Sequence, residues 1–258
     1  MIQCISIGIL LVIPVGAYYG ISFINGNFSS LRIMGFSMTM PLEGLEAIIG
    51  TKSGGYITIL TSMVVPFLLI FILGPVFCSW ICPQNTFSEI GDIAYRKLHK
   101  RKRWNPKNSV FFIIPFFSII IVIVLDVIFQ NTIFTIFHPA AIFARTCLSI
   151  IFLQVLCVDI VLIGIILLIE IFGIRRFWCR YVCPLGALLS LIGFKRFFKI
   201  KCLQENCTNC KSCVDFCPFG NDPRNFPIRC RNCGICVSKC TNGALVQKFD
   251  LSPFTGKK

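Results

Sequence analysis

The stretch CTNCKSCVDFCP, from Cys207 to Pro218, places four cysteines in the order C-x2-C-x2-C-x3-C-P. A second run repeats this spacing at Cys230, Cys233, Cys236 and Cys240. Two such runs are typical of bacterial ferredoxins that hold two [4Fe–4S] clusters, in which the fourth cysteine of each run ligates the other cluster. A structural zinc site is disfavoured, because zinc modules usually separate two C-x2-C pairs by a longer spacer.

This crossover predicts two ligand sets. The first-run set, which holds one cluster, is Cys207, Cys210, Cys213 and Cys240. The second-run set, which holds the other cluster, is Cys230, Cys233, Cys236 and Cys217. Three closely spaced thiolates reach three corners of an iron–sulfur cube, so a distant cysteine must take the fourth. We therefore expect residues 201–258 to form a two-cluster, ferredoxin-like α+β domain.

The part of the chain that precedes this domain has the composition of a membrane protein. Of the 258 residues, 55% are apolar and 14% are charged, whereas about 25% are charged in soluble domains. Four apolar runs, roughly 2–24, 57–82, 109–130 and 147–173, are long enough to cross a hydrocarbon core about 30 Å thick as helices. We predict an α-helical, four-span membrane domain over residues 1–200, with the first run as an anchor rather than a cleaved signal peptide.

Basic residues predict how this domain is oriented. Residues 95–107 contain seven Lys or Arg, whereas residues 25–56 contain only Arg32 and Lys52. Because cytoplasmic loops are enriched in Lys and Arg, we expect the amino terminus and the ferredoxin-like domain on the cytoplasmic side of a bacterial inner membrane. The formal net charge of +14 comes without any nucleic-acid-binding motif, so the expected partners are lipid and protein rather than nucleic acid.

Two further cysteine pairs indicate an internal repeat. FCSWICP (77–83) contains Cys78 and Cys82, and WCRYVCP (178–184) contains Cys179 and Cys183. Each pair follows an apolar run, so we predict tandem hairpin repeats over about 1–108 and 109–200 with both pairs at the cytoplasmic face. Residues four apart share a helix face. Three roles stay open for these C-x3-C-P cysteines: ligation of an additional cluster, a redox-active dithiol, or binding of a soft metal such as Cu(I).

Carboxylates inside membrane helices are costly and are therefore candidates for function. We assign a catalytic role in proton transfer to Asp126 and Glu170. Asp159 is expected in the middle of a helix, without a close charged neighbour, and is given less weight. The alternative for Glu170 is that it extends toward the interface and pairs with Arg175 and Arg176.

The remaining reactive side chains carry less information. His99 and His138 are the only histidines, so two facing helices cannot supply a pair of imidazoles for a b-type haem. We expect His138 to be structural rather than a contact for a head group. The solitary Cys4, Cys147 and Cys157 are expected to pack as small hydrophobic residues, as is Cys202, although its position just before the first cluster run makes it the strongest exception.

With these motifs in hand, the chain resembles the NapH family, the membrane subunits of quinol dehydrogenases that serve periplasmic nitrate reduction. The similarity runs through NGNFSS (25–30), FCSWICP, the loop that begins with His138 and Pro139, WCRYVCPLGAL (178–188) and the two ferredoxin runs. The wider group includes membrane proteins of nitrous-oxide respiration and methylamine utilisation. The resemblance implies oxidation of menaquinol or ubiquinol and transfer of electrons through iron–sulfur centres to an iron–sulfur or cytochrome partner subunit of an anaerobic reductase system.

Two functions therefore compete. The first is a quinol dehydrogenase subunit that transfers electrons within a complex; no Gly-rich nucleotide-binding fingerprint is present, so a pyridine nucleotide is not the expected donor. The second is a maturation factor for a respiratory metalloenzyme, in which the ferredoxin-like domain reduces copper or a disulfide held by the C-x3-C-P cysteines.

Overall fold

The computed structural model describes residues 24–27, 30–33, 36–50, 55–99, 113–129, 138–153, 158–225 and 227–250, together with positions 8 and 135. The first predicted apolar run, residues 2–24, lies almost wholly outside the described residues. Cys4 and Cys157 also lie outside them.

The described chain is mostly helical. Its helices are α1 Pro41–Gly50, α2 Tyr56–Leu73, α3 Pro83–His99, α4 Ile114–Phe129, α5 Pro139–Leu153, α6 Val158–Phe172, α7 Pro184–Ile192, α8 Ser212–Phe216 and α9 Ile235–Ser238. The strands β1 Ile24–Asn27, β2 Ser30–Ile33 and β3 Phe36–Thr39 form an antiparallel sheet in that order. The strands β4 Phe198–Cys202 and β5 Leu245–Phe249 form a second antiparallel sheet.

The apolar helices carry large exposed hydrophobic side chains. Ile57 on α2, Ile128 on α4 and Phe172 on α6 are 77%, 66% and 76% exposed. Within the described residues, only α2 is long and apolar enough by itself to cross a membrane, and α4 is apolar but shorter. Extended apolar surface of this kind is typical of proteins that contact lipid or a partner. The four-span arrangement stays a prediction.

One expectation about a loop was wrong. The segment expected to be an outer loop, residues 131–146, contains the start of α5, and the apolar run 147–173 is divided between α5 and α6. The segment before residue 56 forms the β1–β3 sheet and α1. Proline explains both helix starts, because Pro41 and Pro139 occupy first helical positions, where the missing N–H costs no hydrogen bond.

The first cysteine of each C-x3-C-P pair lies in a five-residue π-helical turn, Phe77–Ile81 or Trp178–Val182, and the second cysteine directly follows that turn. Each turn is followed by an extended cysteine and then by the proline that starts α3 or α7; the φ and ψ angles are −62° and 120° at Cys82 and −68° and 108° at Cys183. A residue before proline is driven out of the helical region by its clash with the proline ring. The sequence C-P therefore ends each π-helical turn and redirects the chain into the next helix.

The carboxyl-terminal domain is built on the β4–β5 sheet. Its core contains Ile200, Val214 and Leu245, packed with the buried cysteines Cys213, Cys230 and Cys236. The helices α8 and α9 have only five and four residues, too few to be stable alone in water. Local sequence therefore supplies little stability to the cysteine loops, which depend on the sheet and on whatever the cysteines bind.

Candidate functional site

The second-run set is brought together around the buried Cys236. Its thiol interacts electrostatically with Cys230, Cys233 and Cys217, so the fourth cysteine of the first run lies with the first three of the second. The backbone N–H of Asn221 donates a hydrogen bond to Cys217 Sγ over 3.3 Å. This grouping supports the predicted crossover, which joins two segments more than ten residues apart.

The first-run set lines one cavity at the surface of the protein. All four of its members contribute to the wall: Cys207, Cys210, Cys213 and Cys240. Cys202 contributes a fifth thiol to the same wall, beside Cys207. The cavity reaches the surface, because Cys210 is exposed.

The chemistry of these donors fits an iron–sulfur cluster. Burial raises the pKa of Cys233 to about 11, so without a bound cation its thiol is neutral at pH 7 and cluster binding releases the proton. At Cys240 burial raises the pKa, but the backbone N–H groups of residues 242–245 outweigh it and lower the pKa overall. N–H groups directed at sulfur stabilise the thiolate, which is the form that ligates iron.

The two sets do not form compact single-ion sites. Within the described parts of the chain, no three Cys, His, Asp or Glu side chains are arranged to hold one metal ion. A four-iron cluster sets a different requirement, because each thiolate ligates a separate corner iron.

The four C-x3-C-P cysteines also lie close to one another. Cys82 interacts electrostatically with Cys78 and Cys183, and Cys179 interacts with Cys82 and Cys183. Three of them pack against a buried apolar cluster that contains Leu42, Phe77 and Leu185. The two π-helical turns of the repeat therefore meet, as the sequence predicted, and present four thiols to one region.

Arg231, between the second-run ligands Cys230 and Cys233, connects this region to the ferredoxin-like domain. Its side chain is buried, donates a hydrogen bond of 2.9 Å to Ser190 Oγ and another to the Gly186 carbonyl of α7, and places Nη1 4.0 Å from Cys78 Sγ. Its own carbonyl accepts a hydrogen bond of 2.8 Å from Ser79. One residue thus contacts both C-x3-C-P repeats from within the second cluster loop.

The neighbouring loop residues strengthen this docking. The amide of the fully buried Asn232 donates to the carbonyls of Leu73 and Phe198 over 3.0 and 2.7 Å. The guanidinium of Arg176 lies 5.3 Å from the centre of the Phe219 ring, just after Cys217. Because these polar contacts are buried, separating the two domains would leave several donors without partners.

The predicted catalytic carboxylates Glu170 and Asp126 are 2% and 1% exposed. Glu170 accepts hydrogen bonds from the Ser88 hydroxyl and from the Trp178 N–H over 3.2 Å. Asp126 lies on α4, which packs against α1. The alternative in which Glu170 extends to the interface and pairs with the arginines is not what the structure has.

Those arginines pair elsewhere. Arg175 lies 2.7 Å from Asp92 and Arg176 lies 3.8 Å from Glu89, so both form ion pairs with α3, and Arg176 interacts with Glu170 only electrostatically. This leaves Glu170 beside the second π-helical turn, where it holds the backbone of Trp178 next to Cys179.

The expectation for Asp159 was wrong. It lies in the first turn of α6, not in mid-helix, and Arg145 Nε is 3.1 Å from its carboxylate. The error follows from the misplaced loop, because α5 brings Arg145 alongside the start of α6. His138 is only 1% exposed, so it is not a surface contact for a head group, and Cys147 packs in an apolar cluster as expected.

Sequence reasoning missed Glu43 and Glu46, which are 6% and 2% exposed on α1, and it missed Arg231. The two glutamates follow Pro41 at helical spacing, a pattern that could have indicated a helix start. Arg231 gives no such signal, because its role depends on a contact with residues about 150 positions earlier.

Comparisons with known proteins agree with the iron–sulfur assignment. A family model described as a 4Fe-4S binding domain matches residues 57–104 and 160–201, each of which contains one C-x3-C-P pair. A second model with the same description matches residues 204–220 and 228–243. No solved structure matches the chain.

Three relatives are informative. The chain is 31% identical over 164 residues to a putative electron transport protein, YccM, of Escherichia coli, covering 60% of this chain and 45% of that protein. It is 24% identical to the ferredoxin-type protein NapH of Haemophilus influenzae, covering 83% and 72%. It is 26% identical to the methylamine utilization ferredoxin-type protein MauN of Methylorubrum extorquens, covering 83% and 71%. The resemblance to this group of ferredoxin-type proteins is thereby confirmed.

Proposed function

We propose that this ferredoxin-type electron-transfer protein, a relative of NapH and MauN, oxidises quinol in the bacterial inner membrane and passes the electrons through iron–sulfur clusters to a partner subunit of an anaerobic respiratory reductase. Residues 1–200 form the four-span membrane domain with its two repeats, and residues 201–258 form the cytoplasmic two-cluster domain. The partner is an iron–sulfur or cytochrome subunit of a periplasmic nitrate or nitrous-oxide type system.

The observation that carries this proposal is the contact of Arg231 with Cys78, Gly186 and Ser190. A ferredoxin domain that diffused between partners would not bury a cationic side chain in the neighbouring domain. Here the second cluster loop is fixed against the C-x3-C-P cysteines, so electron transfer between the two needs no docking step.

The contacts also suggest an order for the centres. The second-run loop contacts the membrane domain through Arg231 and Asn232, whereas the first-run cavity opens at the surface beside the exposed Cys210. Electrons would therefore pass from the C-x3-C-P region to the second-run set, then to the first-run set, and leave to the partner there. Iron–sulfur clusters accept one electron at a time, so the relay divides the electron pair of a quinol.

The role of the C-x3-C-P cysteines follows from the same arrangement. We assign them an additional cluster rather than copper or a dithiol. The 4Fe-4S binding-domain match extends over both pairs, and the four thiols lie within electrostatic range of one another. Each residue supplies one thiolate, and the cluster supplies a one-electron acceptor next to the membrane.

The test is a count of iron and acid-labile sulfide with EPR spectroscopy on anaerobic protein, comparing the wild type with a Cys78→Ala/Cys179→Ala double variant. About twelve irons that fall to about eight in the variant would support a third cluster. About eight in both would refute it and leave copper or dithiol chemistry for these cysteines.

Quinol oxidation needs its own measurement. Decyl-ubiquinol or menadiol is mixed with the oxidised protein in lipid nanodiscs, and cluster reduction is followed by EPR. We expect reduction in the wild type and its loss in the Cys78→Ala/Cys179→Ala double variant, whereas Cys213→Ala should lose only the signal of the first-run set. Stoichiometric binding of Cu(I) by the protein, with no reduction by quinol, would instead identify the maturation factor.

A further inference from the structure

The amino-terminal turns of α1 and α5 enter the interior of the helical domain. Pro41, Leu42 and Glu43 are buried at the start of α1, and Ala140 and Ala141 are buried at the start of α5. Burying an ionisable side chain away from water costs free energy unless the side chain is paired, so a buried ionisable group is a candidate for function.

Two ionisable side chains meet where these turns come together. Glu43 Oε1 lies 3.4 Å from His138 Nδ1, and the two side chains are 6% and 1% exposed. Within the described residues, Glu43 Oε1 accepts no hydrogen bond. The carboxylate therefore keeps an acceptor position beside His138 in the interior of the protein.

The start of α1, which contains Glu43, packs near the C-x3-C-P cysteines. Leu42, the residue before Glu43, belongs to the same buried cluster as Phe77 and Leu185, and Cys78, Cys82 and Cys183 pack against that cluster. A ligand held by Glu43 would consequently be near the candidate first electron acceptor.

A series of polar contacts leads from the pair toward solvent. Glu46, one turn further along α1, accepts a hydrogen bond of 2.8 Å from Thr135. The Thr135 carbonyl accepts one of 3.0 Å from Arg145, which is 38% exposed and pairs with Asp159. Such a series of polar groups is suited to transferring protons from a buried site to solvent.

Glu170 offers a weaker alternative. Both of its carboxylate oxygens already accept hydrogen bonds, from Ser88 and from Trp178. A proton acceptor needs a free lone pair directed at the hydroxyl it deprotonates, and Glu43 meets this requirement better.

We infer that Glu43 and His138 form the quinol-oxidation site of the proposed function, on which this inference rests. Both quinol O–H bonds break: one proton goes to the Glu43 carboxylate and the other to a nitrogen of the His138 ring. The two electrons go one at a time to oxidised iron–sulfur centres, and the product is the quinone. Glu46 receives the Glu43 proton and passes it toward Arg145 and Asp159.

The experiment compares Glu43→Gln and His138→Gln with the wild type in nanodiscs, using decyl-ubiquinol and menadiol as probes. We expect quinol-driven cluster reduction to slow roughly 100-fold in each variant, as is typical when a general base is removed. Iron content and reduction by dithionite should not change. The matched control is Glu89→Gln, a part-exposed carboxylate on α3, which should keep the wild-type rate.

A spectroscopic readout is independent of the rate. In infrared difference spectra of the wild type, quinol oxidation should produce the carbonyl band of a protonated carboxyl group, and the band should be missing in Glu43→Gln. Wild-type reduction with unchanged rates in both variants, or a loss of rate only in Glu170→Gln, would overturn the inference and leave the proposed function standing. A wild type that quinol does not reduce would refute the proposed function itself.

Discussion

Replacing Arg231 with methionine should make the centre beside Cys78 harder to reduce. The guanidinium Nη1 lies 4.0 Å from Cys78 Sγ. At that distance a unit charge pair is worth about 4 kcal/mol for an effective dielectric constant near 20. An electron added to a cluster is spread over the whole cube, roughly twice as far from the guanidinium, which leaves about 2 kcal/mol. For a one-electron couple this corresponds to a midpoint potential roughly 80 mV more negative.

The assay is an EPR-monitored redox titration of anaerobic protein, with iron content measured on the same samples. Arg231→Lys keeps the charge and should shift the potential by much less. Arg224→Met is the positional control: Arg224 lies near Cys207 and Cys213 and is paired with Asp222 over 2.6 Å. Its removal should affect only the first-run centre, and only weakly, because its charge is already compensated and solvent screens it.

The same substitution tests the docking contact. Arg231→Met removes hydrogen bonds to Ser190 and Gly186, and bonds from a charged donor contribute about 1.5–3 kcal/mol each. The variant should therefore also be less stable to heat. Unchanged midpoint potentials in a variant with full iron content would refute the electrostatic reasoning, as would an equal shift of the same centre in Arg224→Met.

Four other predictions follow from particular contacts. Asn232→Gly keeps the left-handed backbone at φ 51° but loses two buried donors, so we expect faster proteolysis of residues 201–258 and a loss of about 2 kcal/mol in unfolding free energy. Gly74→Ala should destabilise the protein by at least about 1 kcal/mol, because φ is +77° and the new Cβ would clash with the Arg196 side chain; Gly55→Ala, where the space is open, is the control for the thermal melt. Cys202→Ser should leave the iron content unchanged, since the first-run set is complete without it; a loss of about four irons would make it a ligand. Removing the clusters with a chelator should expose the short helices to protease while circular dichroism retains most of its helical signal, and an unchanged cleavage pattern would contradict the dependence on clusters.

The sequence was most informative where ligation chemistry fixes the spacing. The crossover of Cys217 and Cys240 is predicted from how a cube is ligated, and the structure places Cys217 near the second run and Cys240 on the wall of the first-run cavity. The meeting of Cys78 and Cys82 with the second pair follows from the repeat. Spacing rules of this kind are informative because the bound group, and not the local chain conformation, sets the geometry of the ligating residues.

The sequence was least informative where a hydropathy profile does not detect the start of a helix. The start of α5 at Pro139 lies in what a sliding apolar window treats as a loop, and this error moved Asp159 to mid-helix. Proline at a first helical position was the available signal. Contacts that bring together distant parts of the chain, such as Glu43 with His138, have no signature in local periodicity.

The fixed docking of the ferredoxin-like domain implies a direction for electron flow that separate soluble carriers would not have. Arg231 and Asn232 bury hydrogen bonds at the contact with the helical domain, so opening this contact would leave donors unsatisfied, at a cost of about 1–3 kcal/mol for each. Among the described residues of the two sets, Cys210 is the exposed thiol. In the proposed function a partner would receive electrons at the first-run cavity, and protons would leave past Glu46 toward Asp159, whose carboxylate pairs with Arg145. Such a separation of proton and electron exits is what an enzyme that divides a quinol requires.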